Sequence, residues 1–350
     1  MFTAYFIQKK YPDAQLLVLE RGAYSLGAST RNAGFACFGS VSELLMDLNH
    51  MSAAQVGTLT AQRWQGLHLM RQILEDKQIG YEECGGYEVF RAEDEQLADK
   101  CLQNLDRIEK LVSEATGLTE IYSVHEAAPA AVKSIVKTIF NKYEGRLDTG
   151  KLYLNLLKLV INAGVKVLNG VHVHEIAAGN FPTVHTSLGK INAGKVLITV
   201  NAFAGQFLPN IDIRPVRNQV LVTNPIPDLK LNGCFHMDQG YFYFRNIGER
   251  ILIGGGRHLL GKTEETAELA TTHGGISQLA ELMNQVIDMP YPPEIAWTWS
   301  GILGIGDQKI PIIRSCEENI YCAVRMGGMG VALSSYAGRE LAEMVERSEG

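Results

Sequence analysis

Leu16-Leu17-Val18-Leu19-Glu20, followed shortly by Gly27-Ala28-Ser29-Thr30-Arg31-Asn32-Ala33-Gly34, is the stretch that decides the fold. A continuous apolar run of this length reads as a strand buried on both faces, as strands of parallel sheets are. Glu20 closes the run, at the strand end from which a carboxylate accepts the ribose hydroxyls of an adenine dinucleotide; a surface charge is the plainer reading. Segment 27–34 is short, polar and bounded by glycine. Its hydroxyls and backbone N–H groups would reach a pyrophosphate or a flavin ring edge, or else Ser29 or Thr30 simply caps a helix.

Upstream, Phe2-Thr3-Ala4-Tyr5-Phe6-Ile7-Gln8-Lys9-Lys10 reads as a helix closed by Tyr11-Pro12-Asp13. Helix then buried strand is half of a βαβ unit, whose first strand is expected ahead of the helix and is missing. Downstream, residues 42–80 and 93–117 have helical period, with an alternating strand at 85–91 between them. Residues 148–163 form an amphipathic helix ended by Gly164, followed by strands at 165–168 and 170–176 and a buried strand at 195–202. Between 213 and 257 the runs 216–223, 240–245 and 250–255 alternate as antiparallel strands do. A helix over 264–288 follows. The C-terminus returns to α/β, with a strand at 319–324, a glycine turn and a helix over 331–345. Two spatial domains, each built from discontinuous pieces, are expected.

Composition agrees with this. The chain has 350 residues, 46% hydrophobic and 20% charged, which suits a globular protein and excludes disordered, collagen-like and coiled-coil classes. That length exceeds the roughly 250–300 residues at which single cores stop growing. Lys plus Arg is 32 against 38 Asp plus Glu, a net charge of -6; no basic field for nucleic acid exists. Six cysteines stand without a C-x-x-C pair or a histidine at zinc spacing, so no metal site is expected and free thiols are the default. No apolar run is long enough to span a membrane, and the start lacks the charge and length of a signal peptide. A reducing cytoplasm fits best.

Further constellations lie towards the C-terminus. Gly327-Gly328-Met329-Gly330, between strand and helix, sets backbone donors at a positive helix end, suited to a carbonyl or an anion. Lys309 is either a solvated lysine or a cation beside a flavin pyrimidine. Tyr241, Tyr243 and Arg245 share one face of a strand, lining a pocket or facing water. Arg257, after Gly254-Gly255-Gly256, is a candidate carboxylate anchor through its bidentate fork. His236 and His258 are near the candidate pocket strands and read as structural or surface residues.

Taken in order, the strand ending Leu19-Glu20-Arg21-Gly22, segment 27–34, Gly145-Arg146-Leu147-Asp148, the strand at Val173, Val200-Asn201-Ala202, Pro215-Val216-Arg217-Asn218-Gln219-Val220, Trp299-Ser300-Gly301 and segment 327–330 resemble the D-amino-acid oxidase-like FAD-dependent oxidoreductases. That group includes glycine oxidase, sarcosine oxidase and D-amino-acid dehydrogenase. The resemblance implies a Rossmann-like α/β FAD-binding domain, its first strand missing, over 1–45, 145–212 and 298–350. A substrate domain on an antiparallel sheet would cover 46–144 and 213–297. It implies noncovalent FAD, since the linking cysteine of sarcosine oxidases would fall near Gly301. The cofactor-binding residues would be Glu20, Arg21, Ser29, Thr30, Asn32, Ala33, Val173, Asn201, Gly301, Gly327, Gly328, Met329, Gly330 and Val331. Tyr241, Arg257 and Lys309 would be the catalytic set. The implied chemistry is oxidation of a C–N bond of an amino acid or amine, with hydride passing to flavin N5 and on to oxygen or an electron carrier.

The chain departs from the pattern in two respects. The family opens with a strand and a G-x-G-x-x-G turn, whereas Met1-Phe2-Thr3 already reads as helix; a truncated gene model or an internal start codon is the expected cause. The arginines that grip the substrate carboxylate in glycine and D-amino-acid oxidases have no equivalent, so Arg257, Arg245 or Arg325 substitutes or the substrate has no carboxylate. The alternatives are a cofactor-free remnant without activity, and a flavin dehydrogenase acting on a hydroxy acid.

Overall fold

A computed structural model describes residues 1–347. Helix Phe2–Lys10 forms where the sequence places it and packs on the C-terminal helix Gly330–Arg347. Gly338 makes that approach possible, because a Cβ there would stand 2.6 Å from the Phe2 Cβ. The C-terminal helix also packs on the long helix Ala53–Leu74. Ser52 caps the long helix by accepting the Gln55 N–H while the Gln55 side chain reaches back to the Ser52 N–H.

Strand Leu17–Glu20 is parallel, as expected, and pairs in register with Lys166–Asn169. It is not buried on both faces. Leu17 is 41% exposed, because among the described residues this sheet has only these two strands and one edge lies uncovered. Strand Val196–Ile198 runs parallel to Ile320–Val324, which pairs antiparallel with Ile312–Glu317. The strand expected over 195–202 is shorter than predicted: Asn201, at φ 45°, turns the chain into the 3-10 segment Asn201–Gln206.

The largest sheet has eight strands in the order Ile295–Ile305, Arg214–Thr223, Arg250–Gly255, Phe242–Ile247, Cys234–Met237, Gly86–Phe90, Lys137–Asn141, Tyr122–His125. The antiparallel pattern expected for 213–257 holds. The parallel pair in this sheet joins Cys234–Met237 to Gly86–Phe90. Phe235, Phe244, Leu221 and Ile253 are fully buried under helix His273–Val286, each contributing about 1.5–3 kcal/mol of burial. That helix is shorter than the 264–288 expected. Thr272 accepts the Gly275 N–H at 3.1 Å and starts it there, while Glu264 is drawn away into a buried pair with Arg217. Among the described residues no helix is long and apolar enough to cross a membrane.

Candidate functional site

Three parts of the chain converge around the segment 27–34. Residues Ala28–Arg31 form a single helical turn, tied to the strand Ile295–Ile305 by two bonds: the Trp299 Nε1–H donates to the Arg31 carbonyl at 3.0 Å, and Arg31 donates to the Ser300 carbonyl at 3.0 Å. Thr30 and Asn32 spend their side chains within the loop, Thr30 on the Ser25 carbonyl and Asn32 on Ala28, Ser29 and the Gly34 N–H. Ala33 is buried against Val220, Val222 and Leu252. Just beyond, Cys37 Sγ lies 4.0 Å from Met329 Sδ, which brings the 327–330 turn to the same place. That turn is held from below, as Gly327 N–H donates to the Gly304 carbonyl and Met326 N–H to Asn201 Oδ1. Gly301 faces Arg31, and Val331 packs on the main helical core.

A second edge gathers Glu20 and Val173. The Gly170 and Val171 N–H groups donate to the Gly22 and Glu20 carbonyls, bringing the segment that leads into strand Val173–Ala177 beside the backbone of Glu20. Glu20 also accepts the Gly22 N–H at 2.8 Å. Arg21 stacks over Phe203.

On the far side, the Arg257 guanidinium lies 4.8 Å above the Tyr241 ring. The glycine run positions it: Gly256, at φ 77°, ends strand Arg250–Gly255 and starts the turn Arg257–Leu260. Among the described residues Arg257 has no hydrogen-bond or ion-pair partner. Burial pushes its pKa down, opposed by Tyr241, Tyr243 and Glu43; an arginine there stays charged. His258 stacks on Tyr241 and its Nε2 stands 2.6 Å from an Asp238 carboxylate oxygen. Burial nevertheless pushes the His258 pKa down. Tyr243 accepts from Asn218 at 2.9 Å, and burial pushes its hydroxyl up to about 12.

The other two candidate arginines are already engaged. Arg245 is buried and donates to the Leu147 carbonyl, so it does not face water. Arg325 is held by Asp212 and the Ile310 carbonyl. Lys309 is partly exposed and paired: it meets Asp47 at 2.5 Å and Glu43 at 3.5 Å. Glu43 in turn meets Arg63, a guanidinium with 2% exposure that also donates to the Phe38 carbonyl. Sequence reading missed this charge cluster, whose one visible signal is an acid inside the apolar run Val41-Ser42-Glu43-Leu44-Leu45. It also missed that Cys37, Glu144 and His236, all buried, are brought together from remote segments. Glu144 accepts the Phe38 and Gly39 N–H groups and lies 3.3 Å from His236. That pairing sets a partner beside the buried Glu144 charge.

A family model described as FAD dependent oxidoreductase matches residues 1–344. The chain belongs to that family. The chain is 22% identical to gamma-glutamylputrescine oxidoreductase of Escherichia coli (strain K12), over 94% of this chain and 78% of that protein. Its fold is similar to glycine oxidase from Geobacillus kaustophilus (TM-score 0.80, 19% identity, 99% of this chain and 91% of that one). It is also similar to L-proline dehydrogenase from P. horikoshii (TM-score 0.79, 16% identity, 99% and 90%).

The residues present fit FAD, the family's cofactor, at several points. A Cβ at Gly27, Gly327 or Gly328 would meet nothing within 4 Å, so open space borders the backbone of both glycine segments. Ser300 Oγ and Asn218 Oδ1 are buried there without a partner. At the other edge Glu20 offers the acceptor that a ribose diol needs.

Proposed function

We propose that this FAD-dependent oxidoreductase of amino acids and amines takes a substrate carrying both an amine and a carboxylate, and that Arg257 anchors the carboxylate. The observation that carries this reading is the unpartnered guanidinium above Tyr241. Arg257 is half-buried and, among the described residues, no carboxylate of the protein pairs with it, and a bidentate carboxylate is the ligand that satisfies its fork. The Tyr241 ring supports the guanidinium from one side. His258, kept neutral by burial, is suited to take a proton from the substrate ammonium.

FAD, when bound, supplies the hydride acceptor for the C–H next to nitrogen. Glu20 would hold its ribose, with Arg21 and Val173 on the adenosine side. Ser29, Thr30, Asn32 and Ala33 would follow the pyrophosphate and flavin, and Gly301, Gly327, Gly328, Met329, Gly330 and Val331 the ring, with Asn201 bracing the last turn. Lys309 fits this scheme as the cation that neutralises Glu43 and Asp47. Gly301 offers no thiol where a covalent link would form, which favours noncovalent binding. Segments 1–45, 145–212 and 298–350 would be the FAD-binding part and 46–144 with 213–297 the substrate part; the boundary at 298 falls inside strand Ile295–Ile305. Oxygen or an electron carrier would reoxidise the flavin, in a reducing cytoplasm that suits six free cysteines.

The test is steady-state kinetics on a panel of amino acids, decarboxylated amines and hydroxy acids. Arg257→Met should raise KM for carboxylate-bearing amines roughly 10–150-fold, the worth of a charged hydrogen-bonded contact, and leave KM for simple amines unchanged. Equal loss on both substrate types would contradict the anchor, and turnover of hydroxy acids alone would contradict the amine chemistry.

A further inference from the structure

Cys84 and Cys234 lie far apart in sequence, 150 residues, yet their sulfurs stand 4.0 Å apart. The sheet brings them together. Strand Gly86–Phe90 runs parallel to Cys234–Met237 with Gly86 opposite Cys234, and the Cys234 N–H donates to the Gly85 carbonyl at 3.3 Å. Cys84 is half-buried and Cys234 fully buried. Each thiol is oriented by a carbonyl, Cys84 by Gly85 at 3.8 Å and Cys234 by Gly145 at 3.2 Å. A sulfur separation of 4.0 Å leaves about 2 Å to close before a disulfide bond of about 2.05 Å can form.

We propose that Cys84 and Cys234 form an oxidant-responsive thiol pair, a modification site at which hydrogen peroxide closes an intramolecular disulfide. The Cys84 thiolate attacks the peroxide O–O bond; one oxygen stays on sulfur as the sulfenic acid, the other leaves and, with a proton, becomes water. The Cys234 sulfur then attacks the Cys84 sulfur, its proton and the sulfenic hydroxyl leave as a second water, and the S–S bond forms. Two thiols are oxidised by two electrons and one peroxide is reduced.

Selectivity follows from surroundings. The contact with the Cys234 sulfur outweighs burial, with help from the Arg146 guanidinium, and lowers the Cys84 pKa to about 7. Burial pushes Cys37, Cys101, Cys234 and Cys322 up. Cys84, the less buried of the two, is thus the nucleophile and Cys234 the resolving partner. The pair is independent of the FAD reading, because peroxide is the only co-reactant and neither sulfur belongs to the proposed flavin or substrate residues.

Reduced protein treated with graded hydrogen peroxide, then alkylated under denaturing conditions and mapped by mass spectrometry, tests the pair. Expected are the loss of two hydrogens from the intact mass and one cross-linked peptide joining Cys84 to Cys234. Of six alkylatable thiols two should disappear, and dithiothreitol should restore both. Cys234→Ser should stop at a Cys84 sulfenic acid that dimedone traps, and Cys84→Ser should leave Cys234 unmodified. The wild-type map stands even if a variant fails to fold. Peroxide adding oxygen to Cys84 while Cys234 stays alkylatable, another pair linking first, or no reaction at Cys84 would each overturn the proposal.

Discussion

Glu144 is 1% exposed and holds three partners at once: the N–H groups of Phe38 and Gly39 and the His236 ring. Glu144→Gln keeps the volume but leaves His236 without its counter-charge. A loss of about 3–5 kcal/mol is expected, the cost of breaking a buried pair, read as a lower urea midpoint at unchanged slope. His236 gives a pH signature. Burial pushes its pKa down, but Glu144, Glu88 and Glu43 together outweigh burial and the net shift is upward. The folded state therefore holds the proton more tightly than the unfolded chain. This contribution is complete below the unfolded value of about 6.5 and fades as pH rises through the folded one. The difference in Tm between wild type and His236→Gln should be widest near about pH 6 and close in alkaline buffer. A difference that grows with pH would contradict the pairing.

At the scale of elements, the buried tie between strand Arg214–Thr223 and the segment after Arg257 matters most. Arg217 grips Glu264 at 2.9 and 2.8 Å, and Gln219 donates to both Glu264 oxygens while accepting the Thr272 N–H. Glu264→Ala should cost about 3–5 kcal/mol by stranding a buried guanidinium. It should also loosen the turn Arg257–Leu260, so KM for carboxylate substrates should rise more than kcat falls; unchanged KM would show that the turn is positioned by other contacts. This tie explains where sequence reading ended. A helical period ran back to residue 264, but Glu264 is claimed by a strand 45 residues away, which no local pattern carries. The helices Phe2–Lys10 and Gly330–Arg347 and the antiparallel strands of 213–257 were legible because period and turn residues are local. Strand Leu17–Glu20 was legible in pairing and not in burial, since burial depends on how many strands lie beside it. Arg257 and Tyr241 were legible as residue types. The cluster of Glu43, Asp47, Lys309 and Arg63 was not, since each member comes from a different or weakly marked position.

At the scale of the molecule, the first and last helices close the architecture on each other through Gly338. Gly338→Leu would place side-chain atoms against Phe2 and Thr3 and should destabilise by about 1–3 kcal/mol as overpacking. Because the C-terminal helix starts at Gly330, in the 327–330 turn, the same variant should retain less FAD on gel filtration; full retention would separate that helix contact from cofactor binding. The central claim is that one molecule joins FAD at the 27–34 and 327–330 segments to oxidation of a carboxylate-bearing amine above Tyr241. The most direct measurement is the anaerobic visible spectrum of the purified protein loaded with FAD, before and after adding amino acids. The account predicts a flavin band that survives gel filtration, is released on acid precipitation, and bleaches with amino acids in wild type but weakly in Arg257→Met. Flavin that elutes free of the protein, or a bound band that no amine bleaches, would contradict it.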